Sequence, residues 1–462
     1  MQIQKTISPV DGRIYVERPL ASSAEIAWAL NAAVKAQAEW AGVPLDQRAA
    51  ALSRFVDAFV AKRDAIAEEL TWQMGRPIRY TPGEVRGFEE RARTMIALAP
   101  EALADIAVGE KAGFRRFIRR APLGVVLVVA PWNYPYLTAV NAVVPALMAG
   151  NCVLLKHAAQ TPLCAERFAE AAREAGLPKG LLQALHMSHE AVAALIGMPE
   201  IAHVCFTGSV PGGEAMERAA AGRFIGVGLE LGGKDPGYVR ADADIAHAVE
   251  NLVDGAFFNS GQSCCGIERI YVHEKLYDEF VERAVMLTRS YLLDDPTRPE
   301  TTLGPMVRTA AADLVRGHID EAVAHGAIAL LSEKSFPRSQ AGTPYLAPQI
   351  LVEVDHTMKV MREESFGPVV GIMKVAGDEE ALKLMNDSAF GLTAAIWTSD
   401  AEAAIALGDR LQTGTVFMNR CDYLDPELAW TGVKHSGRGA TLSKVGYEHL
   451  TRPKSFHLRT TL

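Results

Sequence analysis

Several things this 462-residue chain has little of narrow its function before any motif is considered. It has no basic excess: 47 Lys and Arg stand against 55 Asp and Glu, a net charge of -8. Phosphate binding needs a basic face, so nucleic acid is excluded as the main partner. It has no long apolar run. The longest, Leu123 to Ala130, is strand-sized and far below the ~20 residues of a membrane span, so no membrane partner is expected. The first residues, MQIQKTISPVDG, lack the basic start and apolar stretch of a signal peptide. Cysteine is sparse: Cys152, Cys164, Cys205, Cys264, Cys265 and Cys421, with no CxxC pair. Zinc sites and redox dithiols are therefore unsupported, and reduced thiols in the cytoplasm are expected. The adjacent Cys264 and Cys265 have poor geometry for a structural disulfide. His186-Met187-Ser188-His189 lacks the glutamate of a zinc-protease helix and reads as an exposed polar stretch. No metal is expected. No short repeat or low-complexity tract occurs.

What is present reads as α/β. With 49% hydrophobic and 22% charged residues, the chain has core enough for two or three domains. The first 107 residues read as helices: Ser22 to Trp40, Arg48 to Met74 (ended by Gly75 and Pro77) and Glu84 to Ile106. Strands and helices then alternate, with strands at Gly124 to Ala130, Cys152 to Lys156, Ala202 to Thr207 and Ile225 to Leu231. After Gly232-Gly233 the alternation restarts. Strands are predicted at Ile267 to Val272, Ala327 to Leu331, Val369 to Val375, Ala394 to Thr398 and Thr415 to Asn419. Near-continuous apolar strands separated by helices indicate buried parallel sheets, here two Rossmann-like units in series. The tail from Leu450 to Leu462 reads as a polar strand that needs a partner sheet, in its own chain or a neighbouring subunit.

Three segments offer chemistry. Cys264 follows the polar run Asn259-Ser260-Gly261-Gln262-Ser263, a flexible approach unusual for a packed core cysteine; the residue is either a buried thiol or a nucleophile. Glu230, between Leu229 and Leu231, is either a strand-end ion-pair partner or a general base whose pKa burial raises. Asn133, between Pro131 and Pro135, is either a turn former or a preorganised oxyanion donor. Gly208-Ser209-Val210-Pro211-Gly212-Gly213 is a weak candidate phosphate loop, and Lys156 sits at a strand's carboxyl end, where ligands of parallel sheets bind.

Together these segments resemble the aldehyde dehydrogenase superfamily over essentially the whole chain. The motifs are PWNYP (131–135), PALMAGN (145–151), FTGS (206–209), LELGGK (229–234), FNSGQSC (258–264), EESFGPV (363–369) and SGRG (436–439). The resemblance implies oxidation of an aldehyde to its acid with NAD(P)+. Cys264 would be the nucleophile and Glu230 the base that activates the deacylating water. Asn133 and the Cys264 backbone N–H would form the oxyanion hole. Trp132, Lys156, Ala159, Thr207, Gly208, Ser209, Gly213, Leu231, Glu364 and Phe366 would surround the cofactor. It also implies three parts: a nucleotide-binding domain (1–103 and 122–232), a catalytic domain (233–434) and a small β oligomerisation element (104–121 and 446–462). The last would build a homodimer or homotetramer.

Some positions depart from the family pattern. The glutamate that often binds the adenosine ribose is Ala159, so NADP is expected alongside NAD. The usual lysine and glutamate of a proton relay are Ala142 and Thr441, which points to water as the proton's way out. The usual Pro-Phe-Gly-Gly is Ala429-Trp430-Thr431-Gly432. Members acting on succinic semialdehyde often carry an arginine where this chain has Phe258. Tyr134, Phe258, Leu424 and Trp430 would line the pocket, favouring an uncharged aliphatic or aromatic aldehyde. The alternatives are a semialdehyde anchored by Arg420 and a CoA-acylating reaction, the latter disfavoured by Glu230.

Overall fold

Two sheets built mainly of parallel strands follow one another along the chain, as the alternating pattern predicts, and a smaller antiparallel sheet stands apart. The computed structural model describes residues 2–461. Met1 and Leu462, the outermost residues of the first and last predicted segments, lie outside the described residues.

The amino-terminal region is not wholly helical. It opens with a hairpin, β1 (Ile3–Ile7) and β2 (Ile14–Pro19). These strands expose Ile3, Ile7 and Ile14, so no inward-outward alternation marks them in the sequence. Helix α1 (Ser23–Trp40) begins with a capping box between Ser22 and Glu25. The expected single helix over 48–74 is two, α2 (Leu45–Val60) and α3 (Arg63–Met74). No Gly or Pro marks the break. Lys62 sits there, its Nζ held by Glu170 at 3.0 Å and Glu174 at 2.7 Å, a tertiary contact that local pattern cannot reveal. Helix α4 (Pro82–Ala102) stops short of Ile106, which instead begins β3 (Ile106–Ala107), followed by β4 (Phe114–Pro122).

The first sheet comprises β5 (Val125–Ala130), β6 (Cys152–His157), β7 (Leu182–Ala184), β8 (Ile201–Thr207) and β9 (Gly226–Glu230), all parallel. Its helices are α5 (Pro135–Met148), α6 (Pro162–Glu174), α7 (His189–Ile196) and α8 (Val210–Ala220). Strands β5 and β6 are buried throughout, as their unbroken apolar runs require. β7 and α7 are additions to the predicted elements. The His186–His189 stretch enters α7, where Ser188 caps the helix by accepting from the Ala191 N–H, and His186 Nε2 lies 2.9 Å from Glu166.

The second sheet starts with β10 (Asp235–Val239), helix α9 (Ile245–Phe257) and β11 (Ile267–His273), then helices α10 (Tyr277–Thr288) and α11 (Thr309–Ala324). It continues with β12 (Ile328–Ala329), β13 (Gln349–Val352), α12 (Lys359–Arg362), β14 (Val369–Val375) and α13 (Asp378–Asn386). After β15 (Phe390–Gly391), which pairs instead with residues 433–434, the sheet ends with β16 (Thr393–Trp397), α14 (Ala401–Gly408) and β17 (Thr415–Met418). The strand order is β12-β13-β14-β11-β10-β16-β17. β10 and β13 were not predicted. Asp235-Pro236-Gly237 reads as a turn, yet β10 lies inside the sheet. Pro236 is tolerated because the register with β11 shifts there. The buried Asp235 carboxylate accepts from the Thr393 N–H at 3.1 Å and hydroxyl at 2.7 Å.

The carboxyl-terminal residues return to earlier elements. Short strands β18 (Trp430–Thr431), β19 (Val433–Lys434), β20 (Gly437–Arg438) and β21 (Ala440–Thr441) precede β22 (Thr451–Arg459). β20 adds to the first sheet antiparallel to β9, with Gly437 opposite Glu230. β22 pairs with β4 over its whole length, Thr451 opposite Pro122 and Arg459 opposite Phe114. The tail's partner strand is thus in its own chain, joining the expected hairpin region in the order β22-β4-β3.

Candidate active site

The loop before Cys264 is buried and locked rather than flexible. Asn259, Ser260 and Gly261 all have left-handed backbone, with φ of 53, 56 and 69°. Such a run of positive φ persists only when its surroundings over-determine it. The Ser260 hydroxyl donates to the Gly304 carbonyl at 2.7 Å. Gln262 Nε2 donates to the Asn259 carbonyl at 3.0 Å, and its Oε1 accepts from the Val307 N–H at 2.8 Å. A Cβ on Gly261 would lie 2.2 Å from the Gly367 carbonyl oxygen. The polar residues that suggested mobility are therefore spent on internal bonds, and they present a half-buried Cys264.

Arg76, which sequence reasoning passed over, ties this loop to Asn133. Its Nε donates to Asn259 Oδ1 at 3.1 Å, Nη1 to Glu84 at 2.5 Å and Nη2 to the Asn133 carbonyl. The buried Asn133 amide donates to the Gln262 carbonyl at 3.3 Å, which leaves its second N–H free for another acceptor.

Glu230 ends β9. The Thr207 hydroxyl donates to its Oε2 at 3.0 Å and the Thr441 hydroxyl to its Oε1. Burial pushes this carboxyl above the usual range, while the Thr441 and Thr207 bonds and the Arg91 charge pull it back. The two glycines that follow are dictated by crowding. A Cβ on Gly232 would fall 2.3 Å from Glu364 Oε1, and one on Gly233 would fall 2.2 Å from the Cys264 carbonyl oxygen.

Two hollows meet at the thiol. One, about 380 Å³, is lined by Cys264 and Glu230 together with Tyr134, Phe258, Leu424 and Trp430. The other, about 350 Å³, is lined by Cys264 and Asn133 with Trp132, Thr207, Gly208, Ser209, Leu231, Glu364 and Phe366. Catalytic, pocket and most cofactor candidates thus converge. Four candidates lie elsewhere. Lys156 is buried at the end of β6, beside Val129 of β5, outside the lining of the cleft. Ala159 is exposed, and its carbonyl accepts from the Thr6 hydroxyl at 2.8 Å. Gly213 packs under Leu231, whose Cδ2 a Cβ would approach to 2.8 Å. Arg420 is outside the pocket lining, and its guanidinium stacks at 3.9 Å on Tyr423, which is part of that lining.

Pocket groups that the sequence did not single out are Arg91, Asn141, Glu84 and Asp422. Asp422, pushed up to about 6 by burial, accepts from Ser263 and Cys265. Cys265 lines the same pocket as Cys264, with its thiol donating to Asp422 at 2.9 Å.

The second hollow has the donor set a dinucleotide needs. Ser209 caps α8 at the carboxyl end of β8, so a helix amino terminus faces the cleft. Trp132 and Phe366 meet edge to face at 5.7 Å. The buried Lys234–Glu268 pair holds the neighbouring turn, with Glu268 accepting the Ser365 and Phe366 N–H groups at 2.9 Å. Glu364 accepts from the Gly233 N–H at 2.9 Å, and burial and Glu268 raise its carboxyl to about 7.

A loop that presents a thiol where two hollows meet, on two α/β units, is the arrangement of a thiol-dependent oxidoreductase. The comparisons agree. The model of the aldehyde dehydrogenase family matches residues 2–456. The chain is 34% identical over 455 residues to succinate-semialdehyde dehydrogenase (NADP(+)) 1 of Mycobacterium tuberculosis (strain ATCC 25618 / H37Rv), covering 97% of this chain and 98% of that one. It is 33% identical to betaine aldehyde dehydrogenase of Agrobacterium fabrum (strain C58 / ATCC 33970), covering 99% and 92%. Among solved structures, succinic semialdehyde dehydrogenase from Streptococcus pyogenes in complex with NADP+ superposes with a TM-score of 0.94 at 30% identity, covering 99% of this chain and 100% of that one. The chain belongs to the aldehyde dehydrogenase family. It is an NAD(P)-dependent oxidoreductase that oxidises aldehydes.

Proposed function

We propose that Cys264 is the nucleophile, Glu230 the base of the hydrolytic half-reaction and Asn133 the oxyanion donor, acting on an aldehyde held among Tyr134, Phe258, Leu424 and Trp430. The observation that carries this reading is the place of Cys264 in the walls of both hollows, with Glu230 in the wall of one and Asn133 in that of the other. The thiolate sulfur adds to the carbonyl carbon. The free Asn133 N–H and the Cys264 backbone N–H stabilise the resulting oxyanion, a contribution of about 100- to 1000-fold per donor. When bound, the nicotinamide supplies the acceptor for the hydrogen and electron pair that leave the substrate carbon. Cys264 then carries a thioester. Glu230 takes a proton from water, the water oxygen adds to the acyl carbon, and the acid departs with the thiol restored. Retention of Glu230 favours hydrolysis over transfer to CoA.

Either NAD or NADP serves. Ala159 supports tolerance of the 2′-phosphate, since no carboxylate stands at that position. Residues 1–103 and 122–232 form the nucleotide-binding domain and 233–434 the catalytic domain. The sheet β22-β4-β3, from 104–121 and 446–462, is the oligomerisation element, supported by its position apart from both larger sheets. The six cysteines are free, which supports residence in the cytoplasm.

The decisive experiment follows absorbance at 340 nm with NAD+ or NADP+ and a panel of aldehydes. Cys264→Ala is expected to abolish the signal. Activity surviving that substitution would falsify the nucleophile assignment.

A further inference from the structure

The pocket beside Cys264 holds a cation with no carboxylate partner. Arg91, on α4, is 8% exposed, and Asn141, on α5, is 2% exposed. Arg91 Nη1 donates to the Leu137 carbonyl at 2.7 Å and to Asn141 Oδ1 at 3.3 Å. Its Nε and Nη2 have no protein acceptor among the described residues, and no carboxylate comes within ion-pair distance of it. The bond to Oδ1 fixes the orientation of the amide. Asn141 Nδ2 is left buried without a partner. Both residues line the hollow that contains Cys264 and Glu230.

Of the carboxylates around Arg91, Glu230 feels its charge but bonds the Thr207 and Thr441 hydroxyls instead, and the others are engaged elsewhere. Glu84 is held by Arg76 and by the Tyr136 and Leu137 N–H groups at 3.0 and 3.1 Å. Asp422 accepts from Ser263 and Cys265. Glu90 is exposed and accepts from the Tyr423 hydroxyl at 3.1 Å. A guanidinium does not shed its proton, and burying it unpaired is costly. A group kept in that condition beside an unpartnered amide N–H₂ is complementary to an anion brought by a ligand.

We propose that Arg91 and Asn141 bind a carboxylate on the far end of the aldehyde substrate, so that the enzyme oxidises ω-carboxyaldehydes. The assignment rests on the aldehyde-oxidising function proposed above. The planar fork of Arg91 matches a carboxylate. A phosphate fits less well, because Glu230 and Asp422 border the same hollow and repel a second negative charge. The aromatic walls then pack the carbon chain between the two polar ends. The anchor stands on α4, a different element from the catalytic loop, where Phe258 occupies the position of the family's arginine.

The test compares kcat/KM for succinic and glutaric semialdehydes with that for butanal and pentanal, in the wild type and in Arg91→Met and Arg91→Lys. A site built to bond a charged group rejects the analogue that lacks it, so the wild type is expected to favour the carboxylated aldehydes about 100-fold. The preference should collapse in Arg91→Met, chiefly through KM, and return in part in Arg91→Lys. A wild type that oxidises the alkanals as well as the semialdehydes overturns the anchor while leaving the proposed function intact. So does an Arg91→Met enzyme that loses both substrate classes in proportion, which would mean that Arg91 only tunes Glu230. Oxidation of no aldehyde overturns the function and the anchor together. The wild-type comparison needs no variant to fold.

Discussion

Replacing Thr441 with valine tests how the proposed base, Glu230, is kept ready. The Thr441 hydroxyl donates to one Glu230 oxygen and the Thr207 hydroxyl to the other, and both favour the ionised carboxylate against the raising effect of burial. Valine keeps the shape and the β18–β21 pairing, where Thr441 faces Trp430, but removes the donor. A hydrogen bond to a charged acceptor is worth about 1.5–3 kcal/mol. Because Glu230 also borders the pocket, the lower half of that range applies, or about 10- to 40-fold in proton affinity at roughly 1.4 kcal/mol per tenfold. The base works only when deprotonated, and losing the donor raises its pKa, so the acidic limb of hydrolysis moves to higher pH. At neutral pH Thr441→Val should be slow. Above both limbs it should approach the wild-type rate, because both carboxylates are then ionised. Stopped-flow NAD(P)H formation separates the steps: the first-turnover burst should persist while steady-state turnover falls. An acidic limb that stays in place, or moves to lower pH, would refute this account of Glu230.

Two further outcomes test other parts of the molecule. Ala159→Glu restores a carboxylate where a 2′-phosphate would approach, so the ratio of kcat/KM for NADP+ over NAD+ should fall about tenfold or more; an unchanged ratio would place the nucleotide elsewhere. Lys234→Met leaves the Glu268 carboxylate buried and unpaired, at a cost of about 3–5 kcal/mol in a urea unfolding titration, and the double change Lys234→Met with Glu268→Leu should recover much of it.

How far the sequence discloses this molecule depends on the kind of signal. Cys264, Glu230 and Asn133 could be singled out because each sits in a short motif, and the fold brings all three to the walls of the two hollows. The buried strands β5 and β6 were legible as unbroken apolar runs. β10 was hidden because a proline and a glycine beside a buried aspartate imitate a turn, and only Thr393, far along the chain, satisfies that carboxylate. Arg91 was hidden for a similar reason. It lies in Arg86-Gly-Phe-Glu-Glu-Arg-Ala-Arg93, a charge-rich helix in which Arg93 is bonded to Asp57 and Glu89 at the surface while Arg91 is buried against α5. Nothing local distinguishes the two arginines; the packing of α4 on α5 does. The rigidity of residues 259–262 was misread for the opposite reason, since Asn, Ser, Gly and Gln look mobile until their partners at 304, 307 and 76 are known.

The return of β20 to β9 ties the end of the first sheet to residues far along the chain. All five parallel strands of the first sheet are available once residue 230 has been made. Its base is not yet fixed at that stage: the Leu231 N–H awaits the Ser436 carbonyl, the Gly232 carbonyl awaits the Ser436 hydroxyl, and Glu230 awaits Thr441, 211 residues later. On the proposed roles, competence to hydrolyse a thioester depends on the seating of β20 and β21, more than 200 residues along the chain from Glu230.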